Sequence, residues 1–523
     1  MVERAVERVE RAERPARALW AGPLSPRALL LLVCLITLLA TAAIAWFVFE
    51  GIPHVEDEVA YLFQAKVFAL GRLYVPTPPY GEEAFWIPFV LDVEGRRFSK
   101  YPPGFPLLLA LGVRLGADWL VNPVLAALLM AALFGLGRSL YDDGTGLLAA
   151  ALGATSPLFL VLAGTHMAHV AAALALTLFA WLYVQTVRGE GRAAPLLAGL
   201  ALGMAILIRP LTALGIALPF ALHGLAHFLG GRWAQRRRLL VLALAALPAI
   251  PLYLLYNYAL VHRWMLSLYT LWWPYDRIGF GPGHGWREGG HTPTIAYYNA
   301  LYDLGNLATD LLGWPRLSWL FLPVALLLPP RRWRDGALLL PPFSLVLVQS
   351  TYWIASGSLF GPRYQFEGSP FLWLLTAVGV RKLWALGRSA GTGRAVLERG
   401  RAALRPLLVL LLLGLVLVNL TRVLPPKLAR MQSLYGVTRR PLEAVQATGL
   451  RPVLVIVRAE RWLEYGALLA HNDPLLRGEI VTARDSGPEV NAGVIAAFPG
   501  RHVLWMTTPD PTTGPVLSPE PPP

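Results

Sequence analysis

Three carboxylates in a row, Glu56, Asp57 and Glu58, follow directly on a long apolar stretch. A carboxylate at the edge of a low-dielectric layer is disfavoured in its charged form, so it takes up a proton more readily near neutrality. The same acids would also cap a helix over 59–70, where negative charge suits the N-terminal dipole. Position alone does not choose between a base and a cap. Tyr61, Ala65 and Gly71 come next, and then Lys100, Tyr101, Pro102 and Pro103 at the start of another apolar stretch. Two later clusters again join a cation to proline: Leu207, Ile208, Arg209 and Pro210, and Gly361, Pro362, Arg363 and Tyr364. His166 and His169 are three apart, a spacing that shares one helical face, and suit either a divalent cation held with the acids or a water-facing helix end. Trp272, Trp273, Tyr275 and Asp276 combine ring faces with polar groups, which serves sugar stacking and interfacial anchoring equally well. The glycine-rich run after them, Gly279 to Gly290, reads as a mobile lid.

The elements that must carry these residues are membrane helices. Of 523 residues, 55% are hydrophobic and 15% charged, a balance built for lipid. Stretches near 28–49, 118–136, 239–260 and 406–424 approach the roughly 20 apolar residues that cross a bilayer as a helix. Additional spans are expected near 146–163, 166–186, 195–208, 211–230, 317–330, 337–355 and 366–386. The expected fold is therefore an all-α polytopic membrane bundle of about 11 helices. The N-terminal Arg-rich run imitates a secretory signal, but the apolar stretch after it is too long and lacks a small-residue cleavage site, so it reads as an uncleaved first span.

Lys and Arg collect in alternate connections, which places a basic N-terminus (1–27) inside a transmembrane domain (28–424). The loops 51–117 and 261–316 and the C-terminus are then outside, as in a multi-pass protein of the inner (plasma) membrane. The net charge of +14 is an orientation signal and an attraction to anionic lipid, not a nucleic-acid footprint. The lone cysteine, Cys34, lies in the first span and supports neither a disulfide framework nor a Cys metal site. From 425 to 507 helices and β-branched strands alternate, which predicts a small extracytoplasmic α/β domain with strands near 452–457, 479–482 and 502–506. The Pro-rich tail, 508–523, is expected to be disordered.

An Asp-Glu pair just past the first span, Tyr61 three residues beyond Glu58, and Lys100-x-Pro-Pro entering an apolar helix resemble the GT-C class of membrane glycosyltransferases. The likeness is greatest to glycosyltransferase family 39, which includes protein O-mannosyltransferases and lipid A aminoarabinose transferases. Arg209-Pro210 and Gly361 to Tyr364 fit the same resemblance, and the charge-derived spans put all four motifs on the outer face. The resemblance implies a sugar donor on a polyprenyl phosphate and an acceptor that is a glycan, glycolipid or protein. It implies Asp57 as the base for an inverting attack, with Lys100, Arg209, Arg363 and Tyr364 at the departing phosphate. Glu58 is left to orient the acceptor, bind a cation or cap the helix. Tyr61, Trp272, Trp273, Tyr275 and Asp276 are candidate sugar or acceptor contacts, with His166 and His169 for a possible divalent metal ion. Two other classes compete, a transporter or flippase of lipid-linked sugars and a non-catalytic envelope-assembly protein. Largely apolar span centres disfavour transport.

Overall fold

The structure is a computed structural model and describes residues 25–356, 360–387, 395–507 and 514–521. The basic N-terminal residues 1–24 and the tail positions 508–513 and 522–523 lie outside the described residues.

Helix α1 (Pro26–Phe47) begins at Ser25, whose hydroxyl accepts from the Ala28 amide at 3.2 Å. Its proline stands where no N–H is needed. The segment after α1 holds α2 (Glu56–Ala69), strands β1 (Val75–Pro76), β2 (Val90–Val93) and β3 (Arg96–Ser99), and the short apolar α3 (Gly104–Arg114). The strands pair antiparallel in the order β1-β3-β2. The bundle continues through α4 (Val121–Leu140), α5 (Asp143–Ala154), α6 (Pro157–Ala163), α7 (His169–Val187), α8 (Ala194–Ile208), α9 (Pro210–Gly230), α10 (Trp233–Ala246) and α11 (Ala249–Val261). The segment after α11 contains α12 (Tyr269–Trp272) and α13 (Pro293–Asp310). Then come α14 (Phe321–Leu327), α15 (Trp333–Ala337), α16 (Leu340–Gln349), a 3₁₀ turn at Arg363–Gly368, α17 (Ser369–Leu386), α18 (Ala395–Val418) and α19 (Leu424–Met431).

Among the described residues six helices are long and apolar enough to cross a membrane, or up to seven if the pair α5 and α6, bent by 67°, counts as one span. Length and composition thus account for six or seven of the about eleven expected spans. The other four expected spans hold helices of 15, 7, 10 and 18 residues, α8, α14, α16 and α17. Apolar composition alone cannot separate a lipid-crossing helix from a short one enclosed by its neighbours. α17 is buried continuously from Ser369 to Val380. The outer surfaces of α1, α9 and α10 instead expose Leu31, Leu222 and Leu244 by 60% or more, as contact with hydrocarbon allows.

The C-terminal segment consists of α20 (Arg440–Ala447), β4 (Val453–Arg458), α21 (Gly466–His471), β5 (Ile480–Arg484), α22 (Pro488–Ala497) and β6 (His502–Thr507). β4 pairs in parallel with β5 and β6. A further strand, β7 (Val516–Ser518), adds antiparallel to β6, so the tail expected to be disordered is ordered there by strand pairing. This sheet docks on the segment between β1 and β2: the Arg484 amide donates to the Ala84 carbonyl at 2.7 Å, and the Ser486 hydroxyl to the Glu83 carbonyl at 2.7 Å. Lys66 on α2 donates to the carbonyls of Ala470 and, at 3.1 Å, Asn472, next to the C-terminus of α21 where a cation is favoured.

Candidate functional site

Successive residues of a helix point about 100° apart, so the three acids at the start of α2 take three different environments. Glu56 accepts from Trp462 Nε1 at 3.2 Å. Glu58 is fully buried: Oε2 accepts from the amides of His54 and Val55 at 2.9 and 3.2 Å, and Oε1 from the His166 amide at 2.7 Å. Burial pushes its carboxyl upward against those bonds and the charge of His166. Glu58, expected beside Asp57 in the chemistry, is thus turned inward as the helix cap and as the tie to residue 166. Asp57 alone faces the site, with its side chain 22% exposed.

Asp57 Oδ1 accepts a hydrogen bond from the Tyr101 hydroxyl at 2.5 Å, and Oδ2 lies 4.0 Å from Arg363 Nη2. Tyr61, one helical turn after Asp57, places its ring 4.3 Å from that of Tyr101 and edge-on to Phe105. Burial pushes the Tyr61 phenol upward, and the charges of Arg209, Asp57 and Arg363 act on it. Tyr101 reaches this position because Gln64 on α2 accepts from the Ser99 amide at 2.9 Å and donates to the Leu73 carbonyl at 2.9 Å, pinning the end of β3.

Arg209 occupies the break between α8 and α9, where its extended φ of −146° ends one helix and Pro210 opens the next. Its Nε lies 3.2 Å from Glu367 Oε1 and donates to Thr212 Oγ1 at 3.2 Å, and its Nη1 is 3.4 Å from His169 Nε2. Gly361 has φ +93° and sits against Asp310 and Lys427, where a Cβ would come within 2.5 Å of Asp310 Oδ2. Glycine there lets the chain turn tightly before Arg363 and Tyr364. The Tyr364 amide donates to Ser356 Oγ at 3.2 Å, and the Arg363 and Arg209 guanidiniums both lie within 6 Å of the Tyr364 ring.

The motifs around Lys100 and Arg209 meet through a glycine. A Cβ on Gly104, at the start of α3, would stand 2.7 Å from the Leu207 carbonyl carbon and 2.8 Å from the Ile208 amide nitrogen, backbone atoms that cannot swing aside. Gly104→Ala is therefore expected to destabilise the protein by about 1–3 kcal/mol through overpacking and to lower whatever activity depends on both motifs. A melting temperature unchanged from the native protein would contradict this.

Other expected residues are placed differently. Lys100 is buried, with Nζ 3.8 Å from Asp276 Oδ2. Trp272 packs on Trp86 and Phe89, and Trp273 on Phe89 and Tyr275, so most of this aromatic surface is internal packing. The glycine-rich run is stitched down: the Gly279 amide donates to the Thr351 carbonyl, the Gly281 amide to that of His291 and the Gly285 amide to that of Tyr275. His166 precedes α7 rather than lying on it, so the one-face argument does not apply. Its Nε2 is 3.0 Å from Asp118, whereas His169 Nδ1 is 3.3 Å from Glu367. The two rings do not converge, and among the described residues no group of three or more His, Cys, Asp or Glu could hold a metal ion. Glu367, Tyr101, Tyr269 and Tyr352 were not assigned roles from sequence. Glu367 follows Tyr364 by three residues, one 3₁₀ turn, and that spacing was the available signal.

The family model described as dolichyl-phosphate-mannose-protein mannosyltransferase matches residues 100–256, a stretch that contains the Lys100 and Arg209 motifs but neither Asp57 nor Arg363. In fold the chain is similar to the crystal structure of ArnT from Cupriavidus metallidurans bound to undecaprenyl phosphate. That likeness has a TM-score of 0.54 at 14% identity and covers 92% of this chain and 93% of that one. The apo structure of the same protein gives a TM-score of 0.53 at 15% identity, covering 91% and 93%. Among curated proteins none matches this chain significantly in sequence. The chain thus shares the fold of ArnT over nearly its whole length.

Proposed function

We propose that this protein transfers a sugar from a polyprenyl-phosphate carrier to an acceptor hydroxyl at the outer face of the inner membrane. The observation that carries the proposal is one carboxylate, Asp57, set between a phenol and the Arg363 guanidinium at a helix start, with a second guanidinium, Arg209, beside the same Tyr364 ring as Arg363. In this reading Asp57 takes the acceptor hydroxyl proton while the acceptor oxygen attacks the anomeric carbon. The bond from that carbon to the phosphate oxygen breaks with inversion, and the polyprenyl phosphate leaves with the electron pair.

Arg363 and Arg209, with the Tyr364 hydroxyl, receive the charge that develops on the phosphate. Arg363 Nε is buried and has no hydrogen-bond partner among the described residues, which leaves it free to donate to a phosphate oxygen. Glu367 and Thr212 hold Arg209 in place through its Nε, so that its terminal nitrogens can face the donor. The basic inner connections support a cytoplasmic N-terminus, with loops 51–117 and 261–316 and the α/β segment outside. The ArnT crystal structure that shares this fold holds undecaprenyl phosphate, which supports a carrier of that class here.

The test is reconstitution of the purified protein with a panel of radiolabelled polyprenyl-phosphate sugars, together with mass spectrometry of lipid-linked sugars in cells lacking it. Transfer in the first and accumulation of one donor in the second are expected. Failure of every donor to react, with no accumulation, would refute the proposal.

A further inference from the structure

Lys100 and Tyr101 are neighbours in the bend that joins β3 to α3. Tyr101 reaches Asp57. Lys100 enters a box of rings, with Nζ 3.5 Å from the centre of Phe89, 4.7 Å from Trp273, 5.2 Å from Tyr269 and 5.4 Å from Tyr101. Asp276 closes the box. Its Oδ1 accepts from the Tyr352 hydroxyl at 2.7 Å and from Trp353 Nε1 at 3.0 Å. Its Oδ2 is buried, receives no hydrogen bond among the described residues and has Lys100 as its counter-charge at 3.8 Å. The ammonium therefore joins three segments: the start of the second outer loop, the residues just before the Gly361 to Tyr364 motif, and the junction that presents Tyr101.

We infer that Lys100 is a positioning residue: through Asp276 and the ring box it clamps the second outer loop, residues 269–291, onto the junction that aims Tyr101 at Asp57. Ring faces attract an ammonium and not a neutral amine, and a buried carboxylate without a counter-charge is strongly disfavoured. The clamp consequently holds only while Lys100 is protonated. Burial pushes the Lys100 amine down to about 8, against the charges of Asp57, Asp276 and Glu56, which act to raise it. The Tyr101 and Tyr269 phenols beside it are pushed well above their ordinary range and stay neutral. Arg363 and Arg209, in the adjoining site, keep their charge. The clamp is accordingly closed below this value and opens as pH rises through it.

The inference deepens the proposed reaction and rests on it for the role of Asp57, but the clamp itself is measurable without donor. The intact protein in lipid nanodiscs is exposed to trypsin, and cleavage at the exposed Arg277 and Arg287 is normalised to an unfolded reference peptide. Cleavage of the native protein is expected to rise roughly tenfold per pH unit above the transition, as the protonated fraction falls. Lys100→Met and Asp276→Asn should be cleaved rapidly at every pH, and Lys100→Arg slowly at every pH. Should Lys100→Met fail to fold, Asp276→Asn carries the same test. Cleavage of the native loop that stays flat with pH, or an Asp276→Asn loop as protected as the native one, overturns the clamp.

In transfer assays Lys100→Met should lower kcat with the donor KM unchanged, and Lys100→Arg should abolish the alkaline fall of kcat/KM. A raised donor KM with unchanged loop cleavage would instead make Lys100 a phosphate contact and overturn the inference. A loop that opens as described in a protein that transfers nothing would sink the glycosyltransferase reading and leave the clamp standing.

Discussion

Asp57→Asn is expected to lower the rate of sugar transfer by about 10²- to 10⁴-fold, the range that general-base assistance supplies, with donor affinity little changed. Asparagine has the same size and retains an oxygen to accept from Tyr101, so the helix start and the 2.5 Å contact have a substitute partner. What is lost is the ability to take a proton. The reduction should appear in single-turnover rates, where product release does not mask chemistry.

Glu58→Gln provides the contrast. Glu58 accepts from three backbone amides and faces no open surface. Losing its charge weakens those bonds, and that change is expected to cost about 1–3 kcal/mol of stability. It should move the melting temperature while sparing most of the chemical step at temperatures where the protein stays folded. A chemical step equally crippled by both substitutions, or untouched by Asp57→Asn, would remove Asp57 from the role of base.

Arg363→Met carries the second large effect, a weakening of polyprenyl-phosphate binding by about 10- to 100-fold, the equivalent of a lost charge-assisted hydrogen bond. Arg363 is held by contacts that leave donor capacity: a 4.0 Å approach to Asp57, ring contacts with Phe360 and Tyr364, and an Nε without a partner among the described residues. Arg209 is more constrained, because Glu367 and Thr212 already occupy its Nε. Arg363→Lys should recover part of the loss, since it keeps the charge and gives up the planar fork. Binding of sugar-free polyprenyl phosphate, followed by isothermal titration in detergent, separates this effect from chemistry. Affinity that survives Arg363→Met but collapses with Arg209→Met would exchange the two roles.

Much of this protein can be read from its residues alone. The membrane character follows from long apolar stretches, because a helix is what satisfies every backbone group in lipid without external partners. The order of the acidic, Lys-x-Pro-Pro, Arg-Pro and Gly-Pro-Arg-Tyr motifs was legible for a similar reason: proline and glycine set local backbone angles whatever surrounds them. The alternating pattern after residue 450 likewise placed β4, β5 and β6 within a residue or two. β7 escaped because a three-residue strand in a Pro-rich tail has no periodicity of its own and exists through its partner, β6.

Which side chains do the work was settled by the packing of distant segments. The rotation of α2, fixed by Trp462 on Glu56 and the His166 amide on Glu58, turns Asp57 and not its neighbours toward Arg363. The bend past Ser99 brings Tyr101 to Asp57 and Lys100 to Asp276, a placement that depends on the Gln64 anchor and on a carboxylate 176 positions along the chain. Glu367 became visible as the partner of Arg209 only once α8, α9 and the 3₁₀ turn before α17 were brought together. Residue type and short-range spacing carry conformational preference and charge, whereas the direction of a side chain is decided by contacts between segments far apart in sequence, and local pattern holds no information about those.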